Sequence, residues 1–334
     1  MKKILALLLV AALFLLPFTG CKKKDDSGLV TVRLNEVTHS VFYAPLYLAI
    51  TLGYFKEEGI NLVLTNGAGA DKVMTSVLSG SDDIGFCGPE AAIYVYNEGN
   101  TNYPKVFAQL TKRDGSFLFS RTAEPDFKWS DLTGKEILAG RRGGVPAMTL
   151  EYVLNQNGLY NGTNVTLNYD VSFANMAAAF ESGVADYTTL FEPTASTMVT
   201  ADKGYIVASV GEASGEVPYT AFFAKQSYLS SNAYTIKAFL KAIYRATKYM
   251  SENTLAVVAE KLSSQFQAST YTEILNSITS YSNIDAWMSN MAMTEASFNR
   301  LQDIMENAGE LDTRASYAEL IDNSFADEVY SLVF

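Results

Sequence analysis

The sequence predicts an α/β protein of two lobes closed off by a helical tail, and three observations predict it. Short runs rich in β-branched and aromatic residues alternate with helical stretches, with Gly or Pro where elements should start and stop. The chain has 334 residues, more than one small core needs. Two polar, Gly-containing stretches, near 113–116 and 211–219, interrupt the pattern, so the chain is expected to cross between lobes twice, and two crossings make a hinge.

Taken in order, 29–37 reads as a strand, 45–52 as a helix with Pro45 in its first turn and Gly53 past its end, and 60–65 as a second strand, which completes one βαβ unit. Helix 70–79 follows and stops at Gly80, then strand 83–87, helix 89–98 stopped by Gly99, and strand 105–110. Between 113 and 217 further strands are expected around 117–120, 136–139, 165–169, 187–190 and 205–210, with helices between them. Strand 220–224 leads into the tail from 233 to 334, where Ile236, Phe239, Leu240, Ile243 and Met250 recur at helical spacing. The expected division is lobe 1 at 29–113 and 219–334, lobe 2 at 114–218, with the tail covering lobe 1. No internal repeat occurs, which argues against solenoids and propellers.

Composition narrows the function. With 25 Lys+Arg against 36 Asp+Glu the formal charge is −11, too acidic for a nucleic-acid binder. The 20 Tyr and 19 Phe supply flat side chains suited to cores and pocket walls alike. A single His and two Cys remove most metal and nucleophile chemistry, and neither a G-x-S-x-G elbow nor a Walker loop occurs. No metal, no cofactor and no catalytic residue is therefore expected.

The first twenty residues read as an export signal. Lys2 and Lys3 precede an unbroken apolar run over 4–16, and Pro17-Phe18-Thr19-Gly20 ends directly before Cys21. The run falls short of the roughly 20 residues a spanning helix needs. This ending resembles the bacterial lipobox, with Phe18 in place of its usual Leu or Val, and implies that the chain is cut before a lipidated Cys21. Residues 21–28 then form a short tether. With Cys21 carrying lipid, Cys87 has no partner for a disulfide and is expected to be an inert buried thiol.

Several motifs occur in order along the first two thirds of the chain: Tyr43-Ala44-Pro45-Leu46-Tyr47-Leu48-Ala49, Leu52-Gly53-Tyr54-Phe55, Leu78-Ser79-Gly80-Ser81-Asp82-Asp83-Ile84-Gly85-Phe86, Leu132-Thr133-Gly134-Lys135, and Phe180-Glu181-Ser182-Gly183-Val184-Ala185-Asp186. Together they resemble the solute-binding proteins of nitrate/sulfonate/taurine-type ABC importers, including their NMT1/THI5-like relatives that bind thiamine pyrimidine precursors. The resemblance implies the type 2 periplasmic-binding-protein fold, two lobes closing on a small solute, with importer permease subunits as partners.

In open α/β sheets ligands sit beyond the carboxyl ends of strands, where helix N-termini present unpaired N–H groups. The loop after the first strand carries His39, either pocket lining or a solvated loop residue, and Phe42 and Tyr43, which either stack on a flat ligand or belong to the core. The loop after the second strand holds Gly67 and Gly69; it lacks the third Gly of a dinucleotide fingerprint and follows the wrong strand, so its glycines are read as allowing close approach of a ligand to backbone. Gly88-Pro89-Glu90 opens a helix that Glu90 either caps or leaves to face the cleft. Arg142, Gly143 and Gly144 open another, with N–H groups for an anion or carbonyl and Arg142 as a clamp or a solvated edge. Phe117, Phe191 and Glu192 complete the set.

Two carboxylates at a cleft repel nitrate or sulfonate and suit a flat, amine-bearing or heteroaromatic solute such as a pyrimidine, although Arg142 argues for an anion. The expected protein is therefore a monomeric, non-enzymatic substrate-binding lipoprotein of an ABC importer, held at the extracytoplasmic membrane face by lipid. The alternatives are a small-anion binder, a pyrimidine-synthesis-type enzyme using Glu90 and Glu192 as an acid/base pair, or a surface interaction lipoprotein. Cys21→Ser is expected to abolish membrane attachment while leaving the fold intact. Detergent-phase partitioning with labelled palmitate reads this out, and an unlabelled wild type that still partitions into detergent would contradict it.

Overall fold

A computed structural model describes residues 28–99 and 101–334; the expected leader, Cys21 and the rest of the tether up to residue 27 lie outside the described residues. Among the described residues ten strands form two five-stranded sheets. The first contains β1 (Val30–Glu36), β2 (Ile60–Asn66), β3 (Ile84–Cys87), β4 (Pro104–Thr111) and β10 (Thr220–Lys225), in the order β2-β1-β3-β10-β4. The second contains β5 (Ser116–Ser120), β6 (Glu136–Leu138), β7 (Thr166–Asn168), β8 (Tyr187–Phe191) and β9 (Tyr205–Ser209), in the order β7-β6-β8-β5-β9.

The βαβ units read from the sequence give parallel pairs, β1 with β2 and with β3, and β6 with β7 and with β8. One strand of each sheet runs the other way. β10 lies antiparallel between β3 and β4, and β5 lies antiparallel between β8 and β9. Thus each crossing joins a strand of one sheet to a strand of the other, β4 to β5 and β9 to β10. The crossings also bond to each other, since Val217 N–H donates to the Lys112 carbonyl at 2.9 Å and Tyr219 N–H to that of Thr111 at 3.1 Å.

The helix expected over 70–79 is found at Ala70–Ser79, closed by Gly80 in the left-handed region at φ 81°. Pro45 lies in the first turn of the helix Ala44–Thr51. The tail departs from the expectation that it covers only the first lobe. Helix Ala233–Glu252 packs on Ala44–Thr51 of the first sheet's half, but Tyr271–Asn283 also meets Thr194–Thr200, and Glu295–Asn307 also meets Val145–Gln156, both in the second half. Among the described residues no helix is long and apolar enough to cross a membrane.

The first sheet's core is built on aromatics. Phe86 and Phe222, partners across β3 and β10, stack with centroids 4.3 Å apart. On the opposite face Phe223 pairs with Gly85, and its ring occupies the space a side chain would take, because a Cβ at residue 85 would lie 2.4 Å from two of its ring carbons. Gly85→Ala is therefore expected to destabilise the fold by about 1–3 kcal/mol through overpacking. Urea denaturation measures this, and an unchanged midpoint would show that the ring yields freely.

Candidate functional site

The space where the two sheets' halves meet is filled by side chains from both crossings and both halves. Phe42 is its centre, with ring centroids 4.6 Å from Tyr281, 5.7 Å from Tyr219 and 6.2 Å from Phe191. Phe117 lies 6.2 Å from Tyr281, and Tyr43 meets Phe86 edge-on at 4.6 Å. Gly115 has to be glycine here, since a Cβ would stand 2.9 Å from the Phe42 ring. Trp287 from the tail fixes Phe42 from behind, its indole N–H donating to the Phe42 carbonyl at 2.8 Å.

Polar groups break this aromatic packing at few points. Glu90 is 3% exposed, and its carboxyl folds back over Gly88, where a Cβ would lie 2.0 Å from Oε2. The backbone N–H groups of Glu90, Ala91 and Val145 and the charge of Arg141 favour its ionised form, yet burial outweighs them and pushes its pKa up to about 7. Val145 begins the helix Val145–Gln156, so the helix starts of the third and fourth predicted loops converge on one carboxyl from opposite halves. Tyr94 strengthens that junction by donating to the Gly143 carbonyl at 3.1 Å. Glu90 Oε2 nonetheless has no hydrogen-bond partner.

Asp114, in the first crossing, is fully buried. Its Oδ1 accepts from Ser116 N–H and Oγ–H, both at 2.6 Å, and the Tyr219 hydroxyl lies beside its carboxyl. Burial pushes its pKa up to about 7 as well, against the two bonds from Ser116 and the one from Tyr219. Tyr219, in the second crossing, is buried with its hydroxyl beside the Asp114 carboxyl, and burial pushes its phenol, like that of Tyr281, well above the ordinary range.

The other predicted residues stand elsewhere or are already engaged. His39 is clasped between the rings of Tyr47 and Phe266, with Nδ1 3.0 Å from Glu36 Oε1 and Nε2 2.9 Å from the Gln265 carbonyl. Two acceptors favour the imidazolium, and the hydrogen bond to Glu36 raises its pKa. Gly67 and Gly69 shape the turn into Ala70–Ser79; a Cβ at Gly67 would lie 2.7 Å from Asn35 Oδ1. Arg142 is exposed and lies over the Tyr169 ring at 4.2 Å, whereas its neighbour Arg141 is the arginine whose charge reaches Glu90.

Glu192 is buried but occupied. Its carboxylate accepts from Ser196 N–H, Ser196 Oγ–H and Ser280 Oγ–H, each at 2.9 Å, which caps the helix Thr194–Thr200 and ties it to the tail. Cys87 is buried with its Sγ 3.5 Å from the Gly88 carbonyl, and burial raises its thiol. Sequence reasoning missed Asp114, Tyr219, Tyr281 and Arg141. The crossings read only as polar connectors, and Tyr281 looks like any buried position of an amphipathic helix.

The model of one protein family, described as NMT1/THI5 like, matches residues 41–254. "Putative binding protein YtlA" of Bacillus subtilis (strain 168) is 40% identical over 322 residues, 96% of each chain. The chain belongs to the NMT1/THI5-like family. A more distant relative, 25% identical over 66% of each chain, is 4-amino-5-hydroxymethyl-2-methylpyrimidine phosphate synthase of Aspergillus parasiticus. Among solved structures, the alkanesulfonate-binding protein SsuA of Xanthomonas axonopodis pv. citri aligns with TM-score 0.70 at 16% identity, over 87% of this chain and 98% of that one. The periplasmic nitrate-binding protein NrtA of Synechocystis PCC 6803 aligns with TM-score 0.69 at 16% identity, over 91% and 89%. These likenesses show the expected periplasmic-binding-protein fold in this NMT1/THI5-like chain.

Glu90 and Asp114 each hold a proton more firmly in the folded chain than in the unfolded one, so folding takes up protons between their ordinary carboxylate values and about pH 7. His39, with its raised pKa, acts in the same direction. The stability of the ligand-free protein is thus expected to fall as pH rises from about 5 to about 8, and Glu90→Gln should flatten part of that slope. Urea titrations at stepped pH measure it, and a profile that rises with pH would contradict the burial argument.

Proposed function

We propose that this NMT1/THI5-like chain is the extracytoplasmic substrate-binding subunit of an ABC importer, tethered by lipid on Cys21 and working as a monomer with the importer permease. It takes a small organic solute, amine-bearing or heteroaromatic such as a pyrimidine, between halves that divide at 113/114 and 218/219. The observation that carries this reading is Glu90, a buried carboxyl at the meeting of two helix starts, with one oxygen unpartnered. A buried acceptor left unmade costs roughly 1–3 kcal/mol, and a solute N–H would remove that cost.

The name of YtlA and the solutes named for SsuA and NrtA support a binding role. Nitrate or a sulfonate at this centre would meet the buried carboxyls of Glu90 and Asp114, so the chemistry favours a donor-bearing solute over those anions. Catalysis is disfavoured by what the reactive side chains do: His39 is committed to Glu36 and Gln265, and Cys87 is buried with a raised thiol pKa.

The test is a thermal-shift screen of nitrate, alkanesulfonates, alkylamines, amides, amidines and aminopyrimidines, followed by titration calorimetry and small-angle scattering with each solute that stabilises. A solute at a hundredfold excess over Kd should add roughly 2.7 kcal/mol of stability without product formation, and should compact the molecule. Glu90→Gln should weaken binding about ten- to hundredfold. Stabilisation by nitrate or sulfonates alone would overturn the solute class.

A further inference from the structure

The tail is joined to the two halves by two kinds of bond. Among the described residues, the main-chain hydrogen bonds that tie it to the rest of the chain all go to residues 106–112. Gln109 N–H donates to the Met291 carbonyl at 2.7 Å and Lys112 N–H to that of Ala286 at 2.8 Å, while Met288 N–H donates to the Leu110 carbonyl and Asp322 N–H to that of Val106, both at 2.9 Å. Thr111 pairs with Trp287 in an antiparallel bridge, and Lys112 Nζ lies 2.7 Å from Asp285 Oδ2. Residues 286–291 therefore act as a further strand bonded to the end of β4 and the first crossing.

The second half is held by side chains of the tail alone. Ser280 Oγ–H donates to Glu192 Oε1 at 2.9 Å, Tyr281 Oη accepts from Glu192 N–H at 3.0 Å, and Glu273 Oε1 accepts from Thr197 Oγ1–H at 2.8 Å. On the next tail helix Asn307 Oδ1 accepts from Asn155 Nδ2–H at 2.6 Å, and Arg300 Nη1 donates to the Ser214 carbonyl at 3.5 Å. Such bonds break one at a time and leave the tail's own helices and its ladder intact, whereas the main-chain ladder is lost only with the sheet that it extends. Tyr281 stands at the corner of the two systems. Its ring packs on Phe42 of the first half at 4.6 Å while its oxygen holds the second half through Glu192.

We propose that the tail is a latch, fixed to the first half through the first crossing and holding the second half against it through Glu192 and Thr197. When the halves part, Glu192 leaves with β8, and Ser280 and Tyr281 stay with Phe42 and Trp287. The bonds that break lie in the protein itself, so the latch sets the balance between open and closed chains before any solute arrives, and with it the fraction of chains ready to bind. This rests on the movement of the halves proposed above and adds the element that governs it.

The test measures the distance between spin labels placed at Lys72→Cys in the first half and Val184→Cys in the second, both exposed positions, with no solute added. The parent is the Cys21→Ser chain, in which the remaining Cys87 is buried. Ser280→Ala combined with Thr197→Val should raise the population at the longer distance about tenfold or more relative to the parent. Ser280→Thr, which keeps the hydroxyl, should match the parent. Thr197→Val alone, at an exposed site, should give a smaller shift in the same direction, and it carries the test if the double variant does not fold.

A folded double variant with the parent's distances, even with a lowered melting temperature, would show the contacts to be merely structural and overturn the latch. If the parent's distance also shortens with a solute that stabilises it, the binding function stands without the latch. Longer distances in the variants, together with a screen in which no solute stabilises the parent, would uphold the latch and count against the binding function.

Discussion

The short ladder between the two crossings constrains everything else in the molecule. Val217 and Tyr219 donate to Lys112 and Thr111, so the two connections run as a bonded pair rather than as separate linkers. Because β4 and β10 are neighbours in one sheet, and β5 and β9 in the other, each sheet leaves the same ladder from an edge strand and the strand beside it. That shared origin sets how close the sheets stand and which loops face each other. The Gly88–Glu90 turn and the start of Val145–Gln156 meet because the ladder aims them at one another, and Glu90 is the carboxyl caught between.

What fills the junction is a compromise between two kinds of chemistry. Phe42, Tyr219, Phe191 and Tyr281 pack ring on ring, which favours closing the halves on apolar grounds alone. Glu90 opposes it, since its buried Oε2 has lost water without gaining a hydrogen-bond partner. Such a group costs roughly 1–3 kcal/mol, comparable to the gain from an aromatic contact or two. Packing and desolvation at this junction therefore oppose one another at similar magnitude. Glu192 belongs to the opposite category. Its three hydrogen bonds to Ser196 and Ser280 are complete, so it acts as a clasp between the second sheet's half and the tail.

The elements were largely legible because they are local. Ala70–Ser79 begins after a glycine and ends at one, and Ile60–Asn66 is a run of β-formers between Gly59 and Gly67. The fold class followed from their order and from the family resemblance. At the site, loops at helix starts were legible as loops, and Phe42, Tyr43, Phe117, Phe191 and Glu90 do come together around Phe42 and its neighbours. The choice among equivalent residues was not legible. Arg141 and Arg142 have the same sequence context, and only the turn at Gly143 decides which faces Glu90. Whether a carboxylate is free depends on partners far along the chain: Ser280, which engages Glu192, lies 88 residues away. Helical periodicity shows that Tyr281 is buried, but says nothing of which half it is buried against.

The place of β10 has a consequence for how the molecule is made. β3 and β4 are not neighbours; each is bonded to β10, which runs between them. The pairing of Thr111 with Thr220 spans 109 residues, and the whole of the second sheet is synthesised within that gap. An emerging chain can therefore complete β1, β2 and β3 early but must leave β4 unpaired until the second half has been made. The second sheet has no such dependence, as all five of its strands lie between the crossings. The half that comes first in sequence is thus the last to finish, and a nascent chain stopped before residue 220 carries one complete sheet and one that lacks the strand joining β3 to β4.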